Sequence, residues 1–375
     1  MIHQAHITGW GVAVPHRVLT NDDLAKMVDT SDEWIRKMTG VRERRIAAPE
    51  ESSATLAADA ALNALKVAHL NPSDVELIIV ATSSPEHLFP ATASIVQDKI
   101  GAIKSGAFDI SSACTGFIIA LNMAAQSIRT GSINNVLVIG AETLSRLTNW
   151  SDRNTCVLFG DGAGAFVLQS SDEPGGILSA VMRSDGSGAD LLELPAGGSK
   201  LPASEETIKS GQHYIQMNGR EVFRFATRVM AQATREAIDK AGLDLDDVGL
   251  IIPHQANLRI IETAARGLKL PMDKFAVNLD RYGNTSTASI PLAVVEAYED
   301  GRISPGDNIV FVGFGAGLTW GAIAAQWTGP ITMPEPLKVV WPYRFRTLYR
   351  IYIRIRSFIL RFVRQIEGWI WGGRE

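Results

Sequence analysis

The chain has 375 residues, of which 46% are hydrophobic and 33 are glycines, so it can bury the core of one large domain or two ordinary ones. Its two cysteines exclude a disulfide framework, and residues 1–6 lack the pattern of a secretion signal, which favours a reducing cytoplasm. The net charge of −4 is unevenly distributed along the chain. Residues 331–375 carry one lysine and eight arginines against three glutamates, or +6, which leaves −10 for residues 1–330.

Short apolar runs indicate buried strands at residues 77–80, 136–139, 250–252 and 309–312. Continuous apolar residues are typical of sheets that are covered on both faces. The runs alternate with helical stretches, so the sequence predicts an α/β fold.

Cys114 lies where an apolar strand, a turn of small residues and an apolar helical stretch (residues 117–128) follow one another. At a helix N-terminus, unpaired amides and the positive end of the macrodipole favour thiolate over thiol. The pattern therefore indicates a nucleophile. A buried structural cysteine, packed as a small hydrophobe, is the alternative.

An internal repeat divides the chain. Two pairs of segments match at an offset of 173, residues 74–79 with 247–252 and residues 135–140 with 308–313. Gly131 and Gly301, between these pairs, match at an offset of 170. The pattern predicts a duplicated α/β unit, with halves at residues 1–170 and 171–329 and an extension at 330–375.

The same repeat suggests a companion for Cys114. An offset of 170 leads from Cys114 to Asn284, which also opens a helical stretch, residues 284–292. We therefore expect the two residues to be structural equivalents that face one site across a pseudo-twofold axis.

The strand at residues 250–252 runs into Pro253 and His254, which places His254 at the sheet edge where ligands collect in open α/β folds. This position, together with Cys114 and Asn284, makes His254 a catalytic candidate. The other six histidines are interpreted as structural: His3, His6, His16, His69, His87 and His213.

Glycine-rich segments at residues 160–164 and 313–317 lack the Gly-x-Gly-x-x-Gly spacing that opens a helix after a first strand, so no redox cofactor is implied. No cluster of histidines and cysteines has metal-ligand spacing, and no metal is expected.

Cys114, His254 and Asn284, in these contexts, resemble the Cys-His-Asn site of β-ketoacyl-[acyl carrier protein] synthase III, a family of thiolase-fold condensing enzymes. The resemblance covers about residues 1–328 and includes residues 31–35, 39–44, 159–165, 254–260 and 313–321. It implies an internally duplicated, five-layer αβαβα thiolase-like fold and a homodimer.

The resemblance also implies a reaction that starts fatty acid synthesis without a cofactor. Cys114 accepts the acyl group of a short acyl-CoA, and the backbone amides of Cys114 and Ala316 stabilise the oxyanion. Malonyl-acyl carrier protein then loses carbon dioxide, and His254 and Asn284 donate hydrogen bonds to the enolate. We expect no nucleic acid among its partners.

Further residues take binding roles by resemblance. Coenzyme A is expected to contact Trp34, Arg153, Gly219 and Arg220, and the carrier protein is expected to dock on Arg224, Arg259 and Arg266. The acyl pocket comprises Phe89, Leu144, Leu158, Phe159 and Phe314, and Phe89 reaches across the dimer interface. The sequence departs from the family at Met38, where an arginine is usual, and at Arg220, where an asparagine is more familiar.

The extension combines a linker that contains Pro330, Pro334 and Pro336 with a predicted cationic amphipathic helix. Polar residues at spacings of 4, 4, 3, 4 and 3 form one face: Arg346, Arg350, Arg354, Ser357, Arg361 and Arg364. Such a helix cannot readily span a bilayer, but residues 341–371 can lie on an anionic membrane, here the inner face of the cell membrane. Packing on the enzyme or its dimer mate, and disorder, are the alternatives.

Two other functions remain open from the sequence. One is a related synthase III-like enzyme of specialised, polyketide-type metabolism with a different acyl donor or acceptor. The other is a membrane-tethered scaffold without catalysis, which the complete set of Cys114, His254 and Asn284 disfavours.

Overall fold

The computed structural model describes residues 3–330 and 343–371. Its strands are β1 (Gln4–Ala13), β2 (Arg17–Thr20), β3 (Glu43–Ile46), β4 (Leu77–Ala81), β5 (Gly106–Ile110), β6 (Asn135–Thr143), β7 (Asp161–Ser171), β8 (Gly176–Ser184), β9 (Leu192–Glu193), β10 (Gln216–Met217), β11 (Val248–Pro253), β12 (Asn308–Gly315) and β13 (Thr319–Gln326). Its helices are α1 (Asn21–Leu24), α2 (Asp32–Thr39), α3 (Ser53–Val67), α4 (Thr92–Ile100), α5 (Gly116–Arg129), α6 (Glu205–Lys209), α7 (Gly219–Lys240), α8 (Leu258–Leu268), α9 (Leu279–Tyr282), α10 (Ser289–Glu299) and α11 (Tyr343–Trp371). All four predicted strands are present, as β4, β6, β11 and β12.

Two sheets organise the molecule. The first has the order β1-β7-β6-β4-β5 and the second has the order β11-β12-β13-β8. Helices α5 and α10 lie between the sheets, α3 and α4 cover the outer face of the first sheet, and α7 and α8 cover the second. The predicted duplicated αβαβα architecture of the thiolase fold is confirmed.

The central helices are apolar because both of their sides meet a sheet. Along α5, buried residues include Phe117, Ile118, Leu121 and Ile128, a distribution typical of a helix that is covered over most of its surface. The turns that precede α5 and α10 consequently lie deep in the molecule, where the two sheets approach one another.

The predicted equivalence of Cys114 with Asn284 is wrong. Single turns of 3-10 helix precede α5 and α10, at Ala113–Thr115 and Ser286–Ala288, and both begin with a left-handed residue, Ala113 (φ 44°) and Ser286 (φ 46°). The offset here is 173, so Thr287 is the equivalent of Cys114. An offset of 170 holds only in the turn directly after the helices, at Gly131 and Gly301, because α10 has 11 residues and α5 has 14.

The predicted C-terminal helix is present as α11, which packs against α4. Residues 331–342, which include Pro334, Pro336 and Trp341, lie outside the described residues, as do the side chains of Arg346 and Arg350. Among the described helices, none has the length and apolar character needed to cross a membrane.

Candidate active site

Cys114 lies in the turn between β5 and α5, with 8% of its surface exposed. The loop after β12 closes on this turn, and a Cβ built on Gly315 would be 2.8 Å from the Cys114 nitrogen. Glycine thus permits the close backbone approach. Ala316, the other predicted oxyanion residue, lines a cavity of about 110 Å3 together with Cys114.

Cys114, His254 and Asn284 line one further cavity of about 90 Å3. His254 follows β11, as predicted, and Asn284 precedes the turn at Ser286–Ala288. Both halves of the fold therefore contribute to this cavity. The sequence located all three residues, although the repeat offset used to find Asn284 was wrong.

Burial outweighs the expected activation of Cys114 by the helix N-terminus. Burial is the main cause that raises the pKa of the Cys114 thiol to about 12. A hydrogen bond with Ser286 lowers this pKa, and the nearby Glu142 raises it. Desolvation favours the neutral thiol more strongly than the helix end favours the thiolate. Burial likewise lowers the pKa of His254 to about 3. The site at neutral pH therefore holds a thiol and an uncharged imidazole.

Hydrogen bonds fix the tautomer of His254. Its Nδ1 lies 2.7 Å from Ser289 Oγ, and the Ser289 hydroxyl donates to the carbonyl oxygen of Ser286 at 2.8 Å. Because the hydroxyl proton is used in that bond, Nδ1 must carry the proton that it shares with Ser289. Nε2 of the neutral ring is then an acceptor, and none of the described residues is bonded to it.

The Asn284 side chain has one orientation that satisfies its surroundings. Its Oδ1 accepts a hydrogen bond from the Ser286 amide at 2.8 Å. The amide group Nδ2 therefore remains as a donor, and no acceptor for it occurs among residues 3–330 and 343–371. Asn284 is also held by its backbone, which bonds to Leu158 and Gly160.

Sequence reasoning did not find Glu142, a fully buried carboxylate at the end of β6. It accepts hydrogen bonds from the Ser84 hydroxyl at 2.6 Å and the Thr287 hydroxyl at 2.9 Å. Burial raises its pKa, while these bonds lower it. Glu142 thus links a loop of the first half to the turn that follows Asn284. The signal in the sequence was the charged Glu142 at the end of the apolar run at residues 136–141.

Of the residues expected to contact coenzyme A, Gly219 lines the cavity with His254, and Arg220 is exposed on α7. Trp34 and Arg153 contact one another, with the guanidinium carbon 4.8 Å from the ring centre. A base stacked between them needs about twice a 3.5 Å contact distance, so Arg153 must move to admit one.

The predicted acyl-pocket residues separate into two groups. Leu144 and Phe159 line the cavity that contains Ala316, and Leu158, Phe159 and Phe314 line the cavity that contains His254. Phe89 lines neither and is 86% exposed. Within one chain, Phe89 therefore lies outside both cavities.

The three arginines predicted to dock the carrier protein lie on adjacent helices. Arg224 on α7 pairs with Glu221 at 2.8 Å, and Arg266 on α8 donates to Thr263 at 2.9 Å. The guanidinium of Arg259 lies 5.4 Å from the ring centre of Phe223, which lines the cavity with His254. Among the residues described, no three acidic, histidine or cysteine side chains converge as metal ligands.

Comparison with known proteins identifies the family. The family model for 3-oxoacyl-[acyl-carrier-protein] synthase III matches residues 108–186, and the model for its C-terminal part matches residues 238–327. A β-ketoacyl-[acyl-carrier-protein] synthase III of Symbiobacterium thermophilum is 56% identical over 326 residues, 87% of this chain and 99% of that protein. The chain belongs to the β-ketoacyl-[acyl carrier protein] synthase III family. Synthase III members are condensing acyltransferases, and this chain is one.

Solved structures of synthase III proteins share the fold. The Aquifex aeolicus enzyme is 48% identical, with a TM-score of 0.80 and alignment over 86% of this chain and 100% of that chain. A priming β-ketosynthase of the R1128 polyketide pathway is 34% identical, with a TM-score of 0.82 and alignment over 88% and 98% of the two chains.

The raised pKa of Cys114 predicts how the thiol reacts with iodoacetamide. Because the thiolate is the nucleophile, we expect alkylation to accelerate about tenfold per pH unit from pH 7 to 9.5, without a plateau. Mass spectrometry of the modified chain measures the rate, and a Cys114→Ala variant gives the background from the fully buried Cys156. A plateau below pH 8 would contradict the raised pKa.

Proposed function

We propose that the chain condenses a short acyl-CoA with malonyl-acyl carrier protein and so starts fatty acid synthesis. The observation that carries the proposal is the single cavity shared by the Cys114 thiol, the His254 imidazole and the Asn284 amide. The names of relatives about half identical to this chain support the same activity.

In the first half-reaction, Cys114 attacks the thioester carbonyl of the primer while its proton moves to Nε2 of His254. The acceptor state of Nε2 suits this step, because a neutral thiol needs a base in reach. Collapse of the tetrahedral intermediate breaks the bond to coenzyme A. The departing thiolate takes the proton from Nε2, so acyl-Cys114 remains beside a neutral ring. The backbone amides of Cys114 and Ala316 stabilise the oxyanion.

In the second half-reaction, malonyl-acyl carrier protein loses carbon dioxide and the electron pair moves to the thioester as an enolate. Asn284 Nδ2 donates to the enolate oxygen. His254 donates as well in its other neutral tautomer, which forms between the half-reactions when water delivers a proton to Nε2 and accepts the proton on Nδ1. Ser289 stabilises this tautomer by turning its hydroxyl from the Ser286 carbonyl to Nδ1. The enolate carbon then attacks the acyl group, and the Cys114 thiolate leaves and regains a proton.

Replacement of Asn284 should lower the rates of the two half-reactions to different extents. Asn284→Ala should slow decarboxylation by about 10²- to 10³-fold, the usual loss for one oxyanion donor, and should affect acylation of Cys114 less. Release of labelled carbon dioxide and acyl transfer to the enzyme are measured separately. Asn284→Asp is the matched variant, since it keeps an acceptor for the Ser286 amide but has no Nδ2. Equal loss in both half-reactions would refute the role of Asn284.

The carrier protein docks, in this proposal, on Arg224, Arg259 and Arg266. Carrier proteins are acidic, and positive charge beside the cavity would speed and orient their approach.

Coenzyme A would bind against Trp34, Arg153, Gly219 and Arg220.

A homodimer is proposed through the free edge of the first sheet. Among the described residues, β5 pairs only with β4, and an unpaired edge strand can add a strand from another chain. Phe108 on β5 is 41% exposed, and the nearby Leu88 and Phe89 are 83% and 86% exposed. Across this interface, Phe89 would complete the acyl pocket of the partner subunit.

The edge interface predicts the effect of a charge on β5. Phe108→Arg should convert a dimer into monomers, because the guanidinium would be desolvated between the paired strands. Light scattering after size exclusion gives the mass. Met27→Arg, at a residue 51% exposed on another surface, should remain dimeric. A monomeric native chain would refute the proposal.

We also propose that the enzyme is cytoplasmic and that residues 341–371 contact the inner membrane surface. The chain without these residues should remain in solution, whereas the full chain should sediment with vesicles rich in phosphatidylglycerol. Truncation after Gly329 makes the comparison, and phosphatidylcholine vesicles are the control for charge. Equal sedimentation of the two chains would exclude this membrane contact.

A priming synthase of polyketide-type metabolism is the second candidate, favoured by the likeness to the R1128 enzyme. The same cavity would then accept a different acyl donor or acceptor. Competition among acyl-CoAs and carrier proteins, measured by product formation, distinguishes the two.

A further inference from the structure

The side of α11 that faces the enzyme is held by specific contacts. Tyr349 donates a hydrogen bond to the Gly101 carbonyl at 2.9 Å, and the Ser357 hydroxyl donates to Asp98. Ile353, between them, is 3% exposed and rests on Gly101, where a Cβ would be 2.8 Å from its Cγ1. Residues four apart share one side of a helix, so these contacts define the docked side.

The opposite side of α11 is apolar and exposed. Nine residues form this outer stripe, each between 41% and 66% exposed: Leu348, Ile351, Tyr352, Ile355, Phe358, Ile359, Phe362, Val363 and Ile366. Surface helices normally turn such a stripe toward the core. Here the narrower side formed by Tyr349, Ile353 and Ser357 is docked instead, and the wide apolar side is left for another occupant.

The charge of α11 favours an anionic lipid surface as that occupant. Residues 343–371 contain seven arginines and one glutamate, so two copies of α11 would repel each other if their stripes paired. Arg354 and Arg356 lie on the two flanks of the stripe, each about 100° from its centre. Arginines in these positions reach anionic headgroups when the stripe enters the acyl region.

We propose that α11 lies between the enzyme and the bilayer, with its outer stripe in the lipid and its docked side on α4. The α3 and α4 layer then faces the membrane, and the α7 and α8 layer, at the other end of the five layers, faces the cytoplasm. This orientation rests on the proposed membrane contact and is independent of the condensation chemistry.

Site-specific fluorophores test the orientation in the full chain. An environment-sensitive dye on Phe358→Cys should shift to shorter wavelength when phosphatidylglycerol vesicles are added. Donor dyes on Lys99→Cys in α4 and Lys240→Cys in α7 measure how close each layer of the enzyme lies to the membrane. Both lysines are exposed and can be labelled. Energy transfer to acceptor lipids should be several-fold stronger from residue 99 than from residue 240. The labelled variants also carry Cys114→Ala, because Cys114 reacts with thiol reagents, and the remaining native cysteine, Cys156, is fully buried.

Three results would overturn the inference. Equal transfer from the two donors, with the protein bound, would show that α11 leaves α4 and tethers a freely oriented body. A shift at residue 358 that grows with protein concentration and needs no vesicles would identify a second copy as the occupant. Failure of the full chain to sediment would remove the membrane contact as well, while leaving condensation activity as a separate measurement.

Discussion

The active site depends on how closely the two sheets approach the central turns. A Cβ on Gly140 of the first sheet would be 2.2 Å from the carbonyl oxygen of Thr287, and one on Gly315 of the second sheet would be 2.8 Å from the Cys114 nitrogen. In each half, the turn of the other half therefore packs against a glycine of a strand. This packing brings Cys114 and Asn284 into one cavity, and it excludes the water that would otherwise solvate them.

Exclusion of water determines the electrostatics of the site. Desolvation disfavours both a thiolate and an imidazolium, so reactivity must come from proton transfer during the reaction and from correctly oriented donors. Hydrogen bonds provide that orientation. Ser289 sets the resting tautomer of His254, the Ser286 amide orients Asn284, and Glu142 holds the turn on which Ser286 lies.

Most of the architecture could be predicted from the sequence, because strands enclosed on both faces are continuously apolar and a duplicated unit repeats them. The repeat also led to one error, since its offset changes along the chain and only the φ angles of Ala113 and Ser286 reveal the true equivalence. Burial of Cys114, the bonds of Ser289 and the side of α11 that docks depend on tertiary contacts. Local sequence patterns do not contain that information, although they correctly predicted that α11 is an amphipathic helix.

The central claim is that Cys114 carries the acyl group between two half-reactions in one enclosed cavity. Intact-protein mass spectrometry after incubation with a short acyl-CoA tests it most directly. The account predicts one acyl adduct, located on Cys114, that disappears when malonyl-acyl carrier protein is added. An adduct that persists in Cys114→Ala, or one that malonyl-acyl carrier protein does not remove, would contradict it.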